Sequence, residues 1–570
     1  MHVGDALVNL LLQMKVDTVF GVPGGQTLPF YDGIQNSNGK IRHITMRAEK
    51  NAAYAAVAYA RIKNKVGVCD ATVGPGATEF TSGLGEAYNS STPIFALFSD
   101  LPLDWEHLRD HGNASQGCYQ LDMVKPFTKW TGRVTSQKAL PDMIRNAFLK
   151  AVSGRPGPTA LSIHEDVFKQ EWSGNVPVLP TDLGTFPRHR VTAPKDQIEK
   201  TLTILLNAEK PVLVAGGGAM LSQAEEEITA LAEFLTIPVL QTFTGRGVIP
   251  DDHPMGIGMM GGIGTLSAKQ LVEEADVVFL VGFKSGQNST FNWEIPLTRQ
   301  TVIHLDIDEA EIGRVFLTDV GLVGDVKATI GEMLRFAQEN HQRPQVPQRQ
   351  QWIDRAKKQW QDFVQQEIAA ESDYLKPQQV MDVLNQVTNP EDVLVCDASF
   401  ASGWGAVYYK HKVSGRKLLT PRGLAGLGFG LPAAIGASVA LERGEVYLLA
   451  GDGGFGYTVG ELATLQAYGL KVTILILDNR NWGWMEWLNK LNYEKEYFDL
   501  PAIDFAKVGE GFGLVGFSVR NAGELAQALS ESKKSDKSSI IHINTGLWET
   551  PVIGFREAIQ KNDKVPVKYL

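Results

Sequence analysis

Three cysteines in 570 residues, Cys69, Cys118 and Cys396, are too few and too scattered for a disulfide framework or a thiolate metal site. They read as small buried hydrophobes of a reduced protein. No apolar run approaches the ~20 residues needed to cross a bilayer. The start, Met1-His2-Val3-Gly4-Asp5-Ala6-Leu7, has neither a basic segment nor a cleavage site, so a soluble, cytoplasmic protein is expected. Positive charge is short as well. With 54 Lys and Arg against 64 Asp and Glu the net charge is −10, which argues against a nucleic-acid or anionic-membrane partner. A dinucleotide signature is also missing: Ala215-Gly216-Gly217-Gly218-Ala219 lacks the G-x-G-x-x-G spacing, and tight strand-to-helix packing explains it equally well.

What is present is a repeated alternation. Short β-branched runs, such as Gly67-Val68-Cys69-Asp70-Ala71, Val277-Val278-Phe279-Leu280-Val281 and Asp392-Val393-Leu394-Val395-Cys396-Asp397, alternate with helical segments along the whole chain. Strands that are apolar throughout belong to parallel sheets covered on both faces. Two aperiodic stretches, 171–195 and 341–351, read as linkers, the second preceding a charged helix from about 351 to 370. The fold class expected is α/β, with three parallel-sheet domains over 1–170, 190–340 and 370–550 and a tail over 551–570.

The third domain carries the most informative spacing. Gly451-Asp452-Gly453-Gly454 closes the run Val446-Tyr447-Leu448-Leu449-Ala450, and Asn479, 27 residues after Asp452, closes the run 472–478. A helical stretch between them completes a βαβ unit, whose strand C-terminal ends are where open α/β sheets bind ligands. A carboxylate and an amide oxygen there are hard donors suited to Mg²⁺ that also holds phosphate oxygens. Glycines at 453 and 454 let backbone N–H groups approach a diphosphate closely. Taken alone, Gly-Asp-Gly is equally a turn.

Upstream, residues 47–61 read as an Ala-rich helix with Glu49 at its start, a position that the helix dipole alone would explain. Gly74-Pro75-Gly76-Ala77-Thr78 and then Glu86-Ala87-Tyr88-Asn89-Ser90-Ser91-Thr92-Pro93 follow it. In this order, and with Gly423 to Gly436 reading Gly-Leu-Ala-Gly-Leu-Gly-Phe-Gly-Leu-Pro-Ala-Ala-Ile-Gly, the chain resembles the thiamine diphosphate enzymes that include acetolactate synthase. Gly154-Arg155-Pro156-Gly157-Pro158, Pro250-Asp251-Asp252-His253-Pro254 and His304-Leu305-Asp306-Ile307-Asp308 extend the likeness over nearly the whole length.

The resemblance implies a pyrimidine-binding domain, a central domain and a diphosphate-binding domain, with roles for particular residues. Glu49 matches the Glu that hydrogen-bonds a pyrimidine nitrogen and so assists loss of the thiazolium proton. Leu427 matches the side chain over which the cofactor folds, and the Ala425 carbonyl an acceptor for the pyrimidine amino group. Asp452, Asn479 and the backbone carbonyl of Asn481 match the Mg²⁺ ligands, and Ser399 and Phe400 donate backbone N–H groups to phosphate. Gln116 matches a Gln placed near the reacting carbon. A homodimer or homotetramer with its active site at the subunit interface is implied in the same way.

Departures from the pattern bear on the reaction. The stretch 281–287 lacks the Arg-Phe-Asp-Asp-Arg associated with FAD, which argues against a bound flavin. Glu79 stands where Asn is usual. Trp482, Trp484 and Trp487, with Tyr497 and Phe498 behind them, either pack in the core or wall the cleft for an aromatic 2-oxo acid. His107 and His111 lie ahead of Gln116 and either relay protons or belong to a surface loop. Three functions follow: a carboligase joining a decarboxylated 2-oxo acid to a second carbonyl compound, a lyase releasing an aldehyde, or a non-catalytic homologue. The last sits poorly with intact Glu49, Leu427, Asp452 and Asn479.

Overall fold

A computed structural model describes residues 1–492 and 498–552, and the statements below refer to these. Tyr497 and nearly all of the expected tail lie outside them. Three six-stranded sheets, every strand pair parallel, follow one another along the chain. Their near-continuous apolar strands are buried on both faces, as in Val277–Val281, Val446–Gly451 and Thr473–Asp478. No helix among the described residues is long and apolar enough to cross a membrane.

The chain divides into two compact units. Unit 1 comprises residues 1–189, 421–442 and 458–472. Its sheet contains β1 (Thr18–Gly21), β2 (Arg42–Thr45), β3 (Gly67–Ala71), β4 (Ile94–Asp100), β5 (Trp130–Val134) and β6 (Thr159–His164), in the order β2-β1-β3-β4-β6-β5. The helix Glu49–Lys63 is buried continuously from Asn51 to Arg61, which its alanines permit because they bring little bulk. Against it packs the helix Gly430–Ala440, where a Cβ at Gly436 would lie 2.1 Å from the Ala55 carbonyl oxygen. Both helices are apolar nearly all round, so each needs cover on more than one side. This explains why 421–442 joins unit 1, away from the residues that flank it in sequence, so the compact units cut across the consecutive thirds.

Among the described residues, unit 2 comprises 190–420, 443–457, 473–492 and 498–552. Its first sheet is formed by β7 (Pro211–Ala215), β8 (Val239–Gln241), β9 (Gly256–Met259), β10 (Val277–Val281), β11 (Thr301–Asp306) and β12 (Val320–Val323), ordered β12-β11-β10-β7-β8-β9. The second contains β13 (Val393–Cys396), β14 (Leu418–Leu419), β15 (Val446–Gly451), β16 (Thr473–Asp478), β17 (Val515–Val519) and β18 (Ser539–Asn544), ordered β14-β13-β15-β16-β18-β17. The charged helix runs from Pro347 to Ala369, starting four residues before the expected 351 because Pro347 is preorganised for a first helical turn. In the glycine cluster after β7, the Gly218 N–H donates to the Gly282 carbonyl at 2.9 Å, and a Cβ at Gly216 would sit 2.2 Å from that oxygen. Close backbone packing accounts for these glycines.

Candidate functional site

In unit 2 the loops after β13, β15 and β16, three neighbouring strands, bring the diphosphate-type residues to one sheet edge. Asp452 opens the helical turn Asp452–Gly456 and is 8% exposed. Its carboxyl group is hydrogen-bonded to that of Asp478, the last residue of β16. Burial, then the charge of Asp478, pushes Asp452 up to about 7. Asp478 goes the other way: against the upward pull of burial, His542 Nε2 at 2.8 Å from Oδ2 and the Arg480 N–H at 2.9 Å from Oδ1 hold it below the usual range. Two carboxyl groups this close share a proton or are bridged by a divalent ion.

The neighbouring oxygens suit such an ion. Asn479 Oδ1 accepts the Asn481 N–H at 3.2 Å, and Asn481 Nδ2 donates to Asp499 at 3.1 Å. Buried Asn481 Oδ1 has no hydrogen-bond partner among the described residues. The Asn481 carbonyl accepts the Gly483 N–H at 2.9 Å and retains a second lone pair. A carboxylate, an amide oxygen and a carbonyl oxygen make a hard donor set. Gly453 cannot be larger: its Cβ would lie 2.7 Å from the Trp482 ring. Ser399 (φ 67°) precedes the helix Phe400–Tyr408, so the Phe400 N–H lies outside the helix ladder. The Phe400 ring packs on Trp484 with centroids 5.2 Å apart.

The three tryptophans separate here. Trp482 and Trp484 are half-buried beside Gly453 and Phe400, whereas Trp487, 3% exposed, packs among the core residues of the second sheet. Core packing, one of the two roles expected for this cluster, describes Trp487.

In unit 1 the loops after β1, β2, β3 and β4 share the C-terminal edge of their sheet. Glu49 is the first residue of its helix and half-buried. Gly76 leaves room for it, since a Cβ there would be 2.9 Å from Glu49 Oε1. Burial first, then the charges of Glu79 and Asp70, raise the Glu49 carboxyl above its ordinary value. Asp70 is fully buried, accepts from Tyr31 and lies 2.9 Å from His43 Nε2. Gln116 adopts φ 64° on a loop pinned by buried Arg109, which bonds Asp100 at 2.8 Å, Glu106, and the Cys118 carbonyl. His107 and His111 are exposed on that loop.

Ala425 (φ 54°) and Leu427 lie on a loop of the same unit, anchored by Glu86. That fully buried carboxylate accepts the Gly423 and Leu424 N–H groups at 2.8 and 2.9 Å and pairs with Arg61 at 3.0 Å. Leu427 is half-buried and Ala425 exposed.

The supporting groups Asp478, His542, Asp70 and Glu86 were given no role from sequence. For Asp70 and Asp478 a signal existed, a carboxylate inside or closing an otherwise apolar strand. For His542, 64 residues from its partner, there was none.

Comparison with known proteins agrees along the length. Residues 1–123 match the thiamine pyrophosphate enzyme N-terminal TPP binding domain, 198–333 the central domain and 397–543 the C-terminal TPP binding domain. The chain is 33% identical over 564 residues to a probable acetolactate synthase large subunit of Methanococcus aeolicus, covering 95% of this chain and 91% of that protein. It is 34% identical over 559 residues to the Methanocaldococcus jannaschii counterpart, with the same coverage. The acetolactate synthase large subunit of Corynebacterium glutamicum is 30% identical over 554 residues, covering 95% and 86%.

Proposed function

The chain belongs to the thiamine pyrophosphate enzyme family, and from that premise we propose a thiamine diphosphate-dependent carboligase of the acetolactate synthase type. Its donor is a 2-oxo acid, and its acceptor a second carbonyl compound. The carrying observation is the Asp452–Asp478 contact beside the oxygens of Asn479 and Asn481, at the strand ends where a diphosphate and its metal would be held. When bound, the cofactor supplies a carbanion that adds to a carbonyl and serves as an electron sink.

The chain's residues do the rest. Asp452, Asn479 and the Asn481 carbonyl would hold Mg²⁺, and the N–H groups of Ser399, Phe400, Gly453 and Gly454 would donate to the diphosphate, with Gly451 setting the turn. By the family resemblance Leu427 would support the cofactor, and the Ala425 carbonyl would accept from its amino group. Glu49, with its carboxyl raised by burial, holds or passes a proton near neutral pH. Gln116 would lie near the reacting carbon, and Trp482, Trp484 and His111 would border the substrate. We assign no FAD, because the stretch 281–287 departs from the flavin pattern and the glycines at 216 and 218 are taken up by packing against Gly282. A cytoplasmic homodimer or dimer of dimers completes the reading, with Glu49 and the metal residues supplied by neighbouring subunits as the family resemblance implies.

The test is a screen of 2-oxo acids with Mg²⁺ and thiamine diphosphate, following CO₂ and identifying carbonyl products by mass. A hydroxyketone product supports carboligation, and an aldehyde as sole product replaces it with the lyase reading. CO₂ release from no 2-oxo acid would sink both. An absorption spectrum with stoichiometric flavin bands would reverse the FAD assignment.

A further inference from the structure

Three loops of unit 1 meet around a side chain that the mechanism above leaves unused. The turn after β1 is knitted by buried Thr27, whose Oγ1 accepts the Gly24 N–H at 3.1 Å and donates to the Gly24 carbonyl at 2.9 Å. That turn presents Gln26. From the loop after β3, Thr72 Oγ1 donates to Gln26 Oε1 at 2.9 Å. Gln26 Nε2 in turn donates to Gln116 Oε1, on the loop after β4, at 3.5 Å.

The loops are held in register by close approach. A Cβ at Gly24 would lie 2.3 Å from Thr72 Cβ, and one at Gly74 would lie 2.3 Å from the Gln116 carbonyl oxygen. Gly76, beside Glu49 Oε1, would carry a Cβ 3.1 Å from Thr72 Cγ2. The relay therefore ends in the same cluster as Glu49.

An amide has one acceptor end and one donor end, so a chain of amides has a direction. The Thr72 hydroxyl takes the oxygen of Gln26, leaving its NH₂ for Gln116. The oxygen of Gln116 accepts that bond, and its NH₂ makes no hydrogen bond among the described residues. Gln116 is exposed, and without this contact its amide could turn either way at an entropic cost on binding.

We propose that Gln26, set by Thr72, is a positioning residue that fixes the Gln116 amide with its NH₂ towards a carbonyl or carboxylate oxygen of the substrate. This rests on the carboligase reading and names what orients its substrate at that end. A fixed donor favours an oxygen-bearing group and disfavours an apolar one at the same point.

A double-mutant cycle tests it on the full-length holoenzyme with pyruvate, using Gln26→Ala, Gln116→Ala and the pair, with Thr72→Val as a near-isosteric control. Each single change is expected to lower kcat/KM about tenfold, the scale of one oriented hydrogen bond. The pair should be no worse than Gln116→Ala alone. Weaker inhibition by methyl acetylphosphonate, a pyruvate analogue that cannot lose CO₂, should follow the same pattern, and thiamine diphosphate affinity should not change. Multiplying effects in the pair, or Thr72→Val at wild-type kcat/KM, overturns the proposal. A wild type inert towards 2-oxo acids removes the functional reading and this inference with it, whereas an active wild type with independent effects removes this inference alone.

Discussion

In unit 1 the Glu49 carboxyl at the sheet edge is raised by burial and then by the charges of Glu79 and Asp70, while Asp70 and Asp100 nearby are engaged by His43 and Arg109. In unit 2 two carboxyl groups, Asp452 and Asp478, touch each other, one pushed up to about 7 and the other held low by His542 and a backbone N–H. Both clusters use the C-terminal ends of adjacent parallel strands. The difference lies in what each lacks. A lone carboxyl with a raised pKa is suited to hold or hand over a proton, while a crowded pair calls for a cation. The same fold thus serves two chemistries through whether the acids at its edge are held apart or touch.

The largest effect expected comes from breaking the crowded pair. Asp452→Ala should abolish Mg²⁺-dependent binding of thiamine diphosphate in a calorimetric titration, because the only carboxylate proposed as a ligand is gone. Undiminished affinity would remove the metal assignment and, with it, the contrast between the two edges.

Next comes the lone acid. Glu49→Gln keeps the shape and is expected to slow hydrogen–deuterium exchange at the thiazolium carbon about 10²-fold, the lower range for a positioned proton-transfer group. Exchange at the wild-type rate would make Glu49 a helix-end carboxylate and nothing more.

The tryptophans test whether the unit 2 edge also contacts substrate. Trp487→Ala should cost about 3–5 kcal/mol of stability, as a large core side chain does, and lower activity on all substrates alike. For Trp484→Ala the expected change is a fall in kcat/KM for phenylpyruvate relative to pyruvate, by about tenfold. If the ratio stays put in the Trp484 variant, the aromatic-substrate idea goes.

A further effect is expected on stability against pH in metal-free protein. Folded Asp452 titrates at about 7 and an ordinary Asp at 3.8, so between these values the folded state holds the extra proton. Its contribution to stability is therefore present below about pH 4 and declines as pH rises to about 7. Asp452→Asn escapes this decline, and its melting temperature relative to wild type should climb between pH 5 and pH 8. A pH-independent difference would mean that the two acids do not share a proton.

The sequence by itself determined the alternation of strand and helix, because strands buried on both faces must be apolar throughout and such runs are visible in one dimension. It also determined which residues close β15 and β16, since Asp452 and Asn479 stand directly after those runs. Glu49 could be placed at a helix start, but a helix start attracts carboxylates for ordinary reasons, and only the order of later motifs lifted it above that. Tertiary structure decided the rest. His542 reaches Asp478 because β18 lies beside β16, and Glu86 grips the Gly423–Leu424 amides from more than 300 residues away. Neither pairing leaves a local trace. Trp487 in the core and Trp482 beside Gly453 differ by five positions in one sequence cluster, and only the direction in which the folded backbone points each ring separates them. Patterns that depend on neighbours along the chain are written in the sequence, whereas the pKa values and the packing depend on neighbours in space, and these exist only once the strands have been ordered.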